Sequence, residues 1–173
     1  MKTANKMWKR VRGRSEIIGI TNAIHIPTWV DEEMLKLAEN YTGSESQRNM
    51  LWERHMQNKK ELIEFVENRT GVRLDPDVLL IGFSRRAAPY KRSNLIFTEK
   101  TFIEPLIKEN KLQIIFSGKA HPLDDKGKEI ISDIVEMTKL YPDNVVFLEN
   151  YDMEIGKMLT RGADIWLNNP RRP

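Results

Sequence analysis

Arg85, Arg86, Lys91 and Arg92 lie together in the run Gly82-Phe83-Ser84-Arg85-Arg86-Ala87-Ala88-Pro89-Tyr90-Lys91-Arg92-Ser93. A guanidinium offers a rigid fork of donors and an ammonium a compact point charge, so Arg86 and Lys91 suit one shared oxyanion. The run follows Val78-Leu79-Leu80-Ile81, which reads as a buried parallel strand, and precedes a helical pattern from about Tyr90. At such a crossover the first helical N–H groups are unpaired and the helix dipole favours an anion. A basic helix start opposes that dipole and calls for a compensating anion, most economically a phosphate group. The competing reading is a solvated basic helix start. Tyr90 serves equally well as a core anchor or as a wall of the site.

Other polar clusters recur along the chain. Lys119 and His121 sit in Gly118-Lys119-Ala120-His121-Pro122, where Gly118 permits a tight turn and Pro122 suits the first turn of a helix. An ordinary loop with one exposed lysine explains that motif as well. His25 taken alone reads as a structural histidine, and three scattered histidines argue against a metal site. In Asn150-Tyr151-Asp152, Asp152 can be a helix cap and Tyr151 a flat wall at a strand end. Met50 to Met56 reads as core filler, and the tryptophans at 8, 29, 52 and 166 as packing residues.

The elements that must position these groups follow from periodicity. A strand is expected over 16–21, leading into a loop over 22–28. Asp31 can cap a helix to about Asn40, and 44–68 reads as a long amphipathic helix stopped by Gly71. Then strands at 78–82, 112–116, 144–148 and 163–167 alternate with helices at 91–109, 124–140 and 153–161. Alternation at this spacing predicts an α/β fold, a Rossmann-like parallel sheet with helices on both faces. In such a sheet ligands bind beyond the carboxyl ends of the strands. The clusters at Asn22/His25, Arg85/Arg86/Lys91, Lys119/His121, Tyr151 and Asn168–Arg172 each follow one of the five expected strands, so all five converge on one rim.

The 173 residues suit one domain, and the hydrophobic fraction of 40% is that of an ordinary globular protein. With no cysteine there is no disulfide framework and no thiolate metal site. No apolar run approaches the roughly 20 residues needed to cross a bilayer, and no apolar signal core follows the basic N-terminus, so a cytoplasmic protein with no membrane partner is expected. The net charge of +3 comes from interspersed charges. Dense clusters occur only at Lys9–Arg14, Arg85–Arg92 and Arg171-Arg172, which favours a small anion over nucleic acid.

Several of these blocks resemble one family. Thr21-Asn22-Ala23-Ile24-His25-Ile26-Pro27-Thr28-Trp29 is similar to the Thr-Asn-Gly-Val-His…Thr-Trp segment of the α-glucan (glycogen, starch, maltodextrin) phosphorylases. Arg85-Arg86-Ala87-Ala88-Pro89-Tyr90-Lys91-Arg92 resembles their Arg-Arg-x-x-x-Tyr-Lys-Arg segment. Gly118–Asp124, Phe147–Met153 and Gly162–Pro173 are similar to three further blocks, all in family order over about residues 16 to 173.

The resemblance implies a retaining glycosyltransferase of the two-lobed GT-B architecture, which moves a glucosyl unit from an α-1,4-glucan to inorganic phosphate, giving glucose 1-phosphate. It implies pyridoxal phosphate as cofactor, acting through its phosphate group, and a set of roles for matched positions. Arg86 and Lys91 would be the catalytic pair gripping the substrate phosphate. Arg85 and Tyr151 would meet the cofactor's phosphate and ring. Asn22, His25, Tyr90 and Lys119 would line the substrate site, Asn22 against the sugar. Ala23 departs from the family's Gly, and Asp152 from the Arg of animal members. The family's Gly-rich loop with the Schiff-base lysine, Glu-Ala-Ser-Gly-Thr-x-x-Met-Lys, is not in this sequence. The chain therefore reads as an inactive fragment of the C-terminal lobe, truncated at 173. Residues 1–75 would form a strand and long helices leading into the lobe, and 76–173 the Rossmann-like core; the full-length enzyme would be a homodimer. The alternatives are a nucleotide-sugar-dependent glucan synthase of the same fold, and a non-catalytic glucan- or nucleic-acid-binding module. The scattered aromatics, 8% of residues, give the module little support.

Overall fold

A four-stranded parallel sheet in the order β3-β2-β1-β4 organises the protein in a computed structural model that describes residues 2–171. The strands are β1 (Leu79–Ser84), β2 (Leu112–Ser117), β3 (Val145–Leu148) and β4 (Ile165–Trp166). β1 and β2 pair from Leu79↔Leu112 to Ser84↔Ser117, and Ser117 pairs with Leu148 of β3. This register aligns Ser84, Ser117 and Leu148 at one end of the sheet. β4 pairs with Ile81 and Gly82 on the other side of β1.

Alternate strand residues face opposite ways, so β1, β2 and β3 each feed two cores, while both residues of β4 are exposed. Leu80, Ile115, Val146 and Leu148 meet Leu62, Ile63 and Val66 of α4 (Glu45–Thr70) and Ile155 and Leu159 of α7 (Met153–Gly162). Ile81, Phe83, Ile114 and Phe116 meet Ile107 of α5 (Lys100–Lys108) and Ile130 and Ile134 of α6 (Asp125–Leu140). Strands buried on both faces need apolar residues at nearly every position, as the sequence provides. The remaining helices precede the sheet: α1 (Lys2–Met7), α2 (Ile26–Trp29) and α3 (Glu32–Glu39). Ser44, Asp31, Asp124 and Asp152 cap α4, α3, α6 and α7, each accepting from a backbone N–H three residues on. Gly71 ends α4 in the left-handed region at φ 76°.

Several expectations need correction. Residues 16–21 form no strand; Ile18 and Ile20 are 74% and 86% exposed. Their alternation is suited to pairing, but no described strand lies beside them. The helix expected over 91–109 is two single 3₁₀ turns, Pro89–Lys91 and Leu95–Phe97, followed by α5. Arg92, at φ 53°, breaks the helical path. The α6 helix begins at Asp125, so Pro122 lies in the loop before it rather than in its first turn. Met50 and Trp52 are exposed rather than core. A helix of 26 residues spans about 39 Å, and the fully buried positions of α4 begin only at Asn58. Trp8 and Trp166 are also substantially exposed. Arg172 lies outside the described residues.

At the amino edge of the sheet, charges answer one another. Lys59, 3% exposed, donates to Asp164 at 2.7 Å and to the Val78 carbonyl at 2.8 Å. His55 Nε2 lies 2.6 Å from the same carboxylate, and the Leu80 N–H donates to it at 2.8 Å. Burial is the largest single influence on Asp164 and pushes its pKa up. Lys59, His55 and the Leu80 amide together outweigh it and hold the group below the usual carboxylate range. Arg54 grips Asp31 bidentately at 2.7 and 2.8 Å, and Arg161 donates to the carbonyls of Thr28, Trp29 and Val30. An apolar groove of about 680 Å³, lined by Trp29, Met34, Leu51 and Trp52, opens beside this network.

Candidate functional site

At the opposite end, two loops are drawn together just past the strands. The Ala87 N–H donates to the Lys119 carbonyl at 2.9 Å, extending the β1–β2 ladder beyond Ser84 and Ser117. Gly118 makes this possible: a Cβ there would stand 2.2 Å from the Arg85 carbonyl oxygen. Gly127, in the first turn of α6, lets the Ala87 carbonyl approach in the same way, since a Cβ would lie 2.7 Å from it. The loop carrying Arg85 and Arg86 is thus seated between β2's exit and α6, where only glycine fits on either side.

The chain then turns sharply. Pro89 opens a 3₁₀ turn through Lys91, and Arg92 leaves it in the left-handed region. The segment after β4 packs against this turn. The Arg171 N–H donates to the Tyr90 carbonyl at 2.8 Å, and Arg92 Nε donates to the Asn169 carbonyl at 2.7 Å. Arg85, half-buried, donates to Asn168 Oδ1.

Tyr90, Arg86 and Lys91 form one cluster. The Lys91 ammonium stands 4.6 Å from the centroid of the Tyr90 ring. The exposed phenol is held below its usual pKa by hydrogen bonding to Lys91 first and to Arg86 second. Both cations thus act on the one phenol, with Lys91 against its ring. No α-helix begins here, and the helix-dipole argument for an anion does not apply. The side chains alone supply the positive field: Arg85, Arg86, Lys91 and Lys119 form no ion pair among the described residues. Three buried side-chain oxygens without a hydrogen-bond partner, Ser84 Oγ, Ser93 Oγ and Asn169 Oδ1, lie at this same end.

The other expected site residues are placed as follows. Lys119 has an exposed side chain on the β2 loop. Tyr151 follows β3, half-buried against the core, with its hydroxyl over Gly156. Asn22 and His25 are exposed and follow no strand; His25 Nδ1 lies 2.8 Å from Thr28 Oγ1. The rim is therefore built from the ends of β1, β2, β3 and β4, and the expected fifth strand contributes nothing to it. Arg92 and Gly127 escaped the reading of the sequence. Arg92 was one cation among four, and Gly127 sits inside an unbroken helical pattern. Among the described residues no cluster of His, Asp and Glu could hold a metal ion, and no helix is long and apolar enough to cross a membrane.

Residues 13–167 match the family model described as "Carbohydrate phosphorylase". The chain is 35% identical to the glycogen phosphorylase of Aquifex aeolicus, covering 98% of this chain and 30% of that protein. It is 32% identical to the maltodextrin phosphorylase of Thermococcus litoralis, over 99% of this chain and 25% of that protein. Identity to the glycogen phosphorylase of Mycobacterium bovis is 32%, over 98% of this chain and 24% of that protein. The chain thus spans about a quarter to a third of the length of the curated relatives it matches.

Proposed function

We infer the function from one premise: this chain belongs to the carbohydrate phosphorylase family. The protein that carries it is, on our reading, an α-glucan phosphorylase, which transfers a glucosyl unit from an α-1,4-glucan to inorganic phosphate and releases glucose 1-phosphate. The observation that carries this reading is the cation set at the carboxyl rim. Arg85, Arg86, Lys91 and Lys119 meet no carboxylate among the described residues, and Lys91 and Arg86 both hold down the pKa of the Tyr90 phenol, with Lys91 against its ring. Fixed cations without a carboxylate partner are what a multiply charged oxyanion requires, because they stabilise it with little reorganisation.

Arg86 and Lys91 take the substrate phosphate, Arg86 through its fork of N–H donors and Lys91 as a point charge. Tyr90 stands between them as a neutral donor against the same anion. Lys119 addresses the glucosyl unit from the rim; the part that Asn22 and His25 would take rests on the family resemblance alone, since their loop follows no strand. The donor set also suits a second phosphate, that of pyridoxal phosphate. Arg85 would hold that group and Tyr151 would flank its ring. When bound, the cofactor supplies a phosphate that can donate or accept a proton beside the substrate phosphate. Two phosphates side by side repel one another, and a rim with several cations offsets that repulsion.

The test has two parts. The protein that carries this chain, given maltodextrin and phosphate, releases glucose 1-phosphate; elongation of a glucan from a nucleotide sugar instead would move the assignment to a synthase. In this chain, titration with inorganic phosphate gives a saturable response that Arg86→Ala weakens by about tenfold, the equivalent of one charge-assisted hydrogen bond. Equal affinity in both proteins would remove Arg86 from the site.

A further inference from the structure

Among the described residues Arg92 has no carboxylate partner, yet it is not left over. Its Nε donates to the Asn169 carbonyl at 2.7 Å, and a second guanidinium nitrogen reaches the Pro170 carbonyl at 3.4 Å. The Asn169 side-chain amide returns a bond to the Arg92 carbonyl at 3.4 Å, and the Arg171 N–H closes on the Tyr90 carbonyl. The residue itself sits at φ 53°, a left-handed conformation that a side chain with a Cβ adopts only when its surroundings hold it there. These bonds join the exit of β4 to both ends of the Tyr90–Lys91–Arg92 turn.

We propose that Arg92 is a positioning residue: by clamping the turn to the Asn169–Pro170 backbone, it fixes Lys91 and Tyr90 relative to Arg86 so that both cations address one oxyanion. The proposal deepens the phosphate-site reading and rests on it only for the identity of the ligand. The clamp is a matter of shape as well as charge. A planar guanidinium can span two neighbouring carbonyls, whereas an ammonium of equal charge reaches one of them from a flexible stem. Lys91 reaches the site through backbone that this clamp holds, so loosening it separates the two cations without removing either.

The decisive variant is Arg92→Lys, which keeps the charge and removes the fork; Arg92→Ala is the second. Two readouts are taken on this chain, each beside a thermal melt. The first is the ultraviolet titration of the Tyr90 phenol, isolated from the other tyrosines by difference against Tyr90→Phe, and it needs no ligand. The second is the affinity for inorganic phosphate. In Arg92→Lys the phenol is expected to titrate at higher pH than in the wild type, nearer the ordinary tyrosine value. Phosphate affinity is expected to fall by about tenfold, one charge-assisted bond misaligned. An Arg92→Lys protein with unchanged phenol titration and unchanged phosphate affinity overturns the proposal, even if its melting point drops, because Arg92 is then a stabiliser only. If the wild type binds no phosphate but the phenol still moves in Arg92→Lys, the positioning role stands and the phosphate reading falls. Should Arg92→Ala not fold, the lysine variant decides.

Discussion

At the amino edge of the sheet, one carboxylate, Asp164, is shared by Lys59, His55 and the Leu80 N–H, and Arg54 holds Asp31 with two nitrogens. At the carboxyl rim, Arg85, Arg86, Lys91 and Lys119 find no carboxylate among the described residues, and Arg92 spends its donors on backbone. The two ends use the same residue types for opposite ends. A buried charge without a partner costs several kcal/mol, so the interior network closes on itself. A half-exposed cation can stay unpaired because water screens it, and it then remains available to an anion from outside. Charge density alone therefore does not mark the functional end of this sheet; unanswered charge does. The apolar groove beside the amino network would mislead a search based on cavities, since it lies away from the cation cluster.

The comparison can be broken most directly at Lys59. Lys59→Met removes a buried partner from Asp164 and is expected to lower unfolding free energy by roughly 3–5 kcal/mol. Urea denaturation reads this, and a loss under about 1 kcal/mol would mean that the amino network is not a closed, buried system. Lys91→Met at the rim should do the reverse. Its stability stays within about 0.5 kcal/mol of the wild type, as for an ordinary surface substitution, while phosphate affinity drops about tenfold or more. A large stability loss with unchanged phosphate binding would make Lys91 structural and erase the contrast. The smallest effect is on pH. Because Asp164 is held below the ordinary carboxylate value in the folded protein, its contribution is full above the unfolded value of about 3.9 and is lost as pH falls through the lower folded value. Melting temperatures measured between pH 6 and pH 2 should fall at the acid end, and Asp164→Asn should flatten that slope. An unchanged slope in Asp164→Asn would assign the acid sensitivity to other carboxylates.

Local signals were easy to read in this chain. Ser44, Asp31, Asp152 and Gly71 each mark a helix end through chemistry confined to three or four residues, and each does so in the structure. The apolar runs of β1, β2 and β3 are buried on two faces and carry their own signature. The failures share a cause. Glu16–Thr21 alternates like a strand, but a strand exists only where another pairs with it. Met50 reads as core filler and Trp52 as a packing residue, but whether they are covered depends on where the sheet ends beneath α4. The turn at Arg92 was hidden because nothing in its own neighbourhood forbids a helix; what holds it open is backbone from the far side of β4, 77 residues away.

The amino-acid sequence by itself thus determined the α/β class, the parallel order implied by alternating elements, the family, and the presence of four cations between positions 85 and 92. The family rests on the resemblance of its motif blocks, and the others on period, local hydrogen bonding and charge count, which are properties of short windows. It took the folded arrangement to settle which of those cations act on one phenol, which one bonds to distant backbone, and which charged cluster closes on itself. Those distinctions depend on groups brought together across the sheet, and no spacing along the chain encodes them.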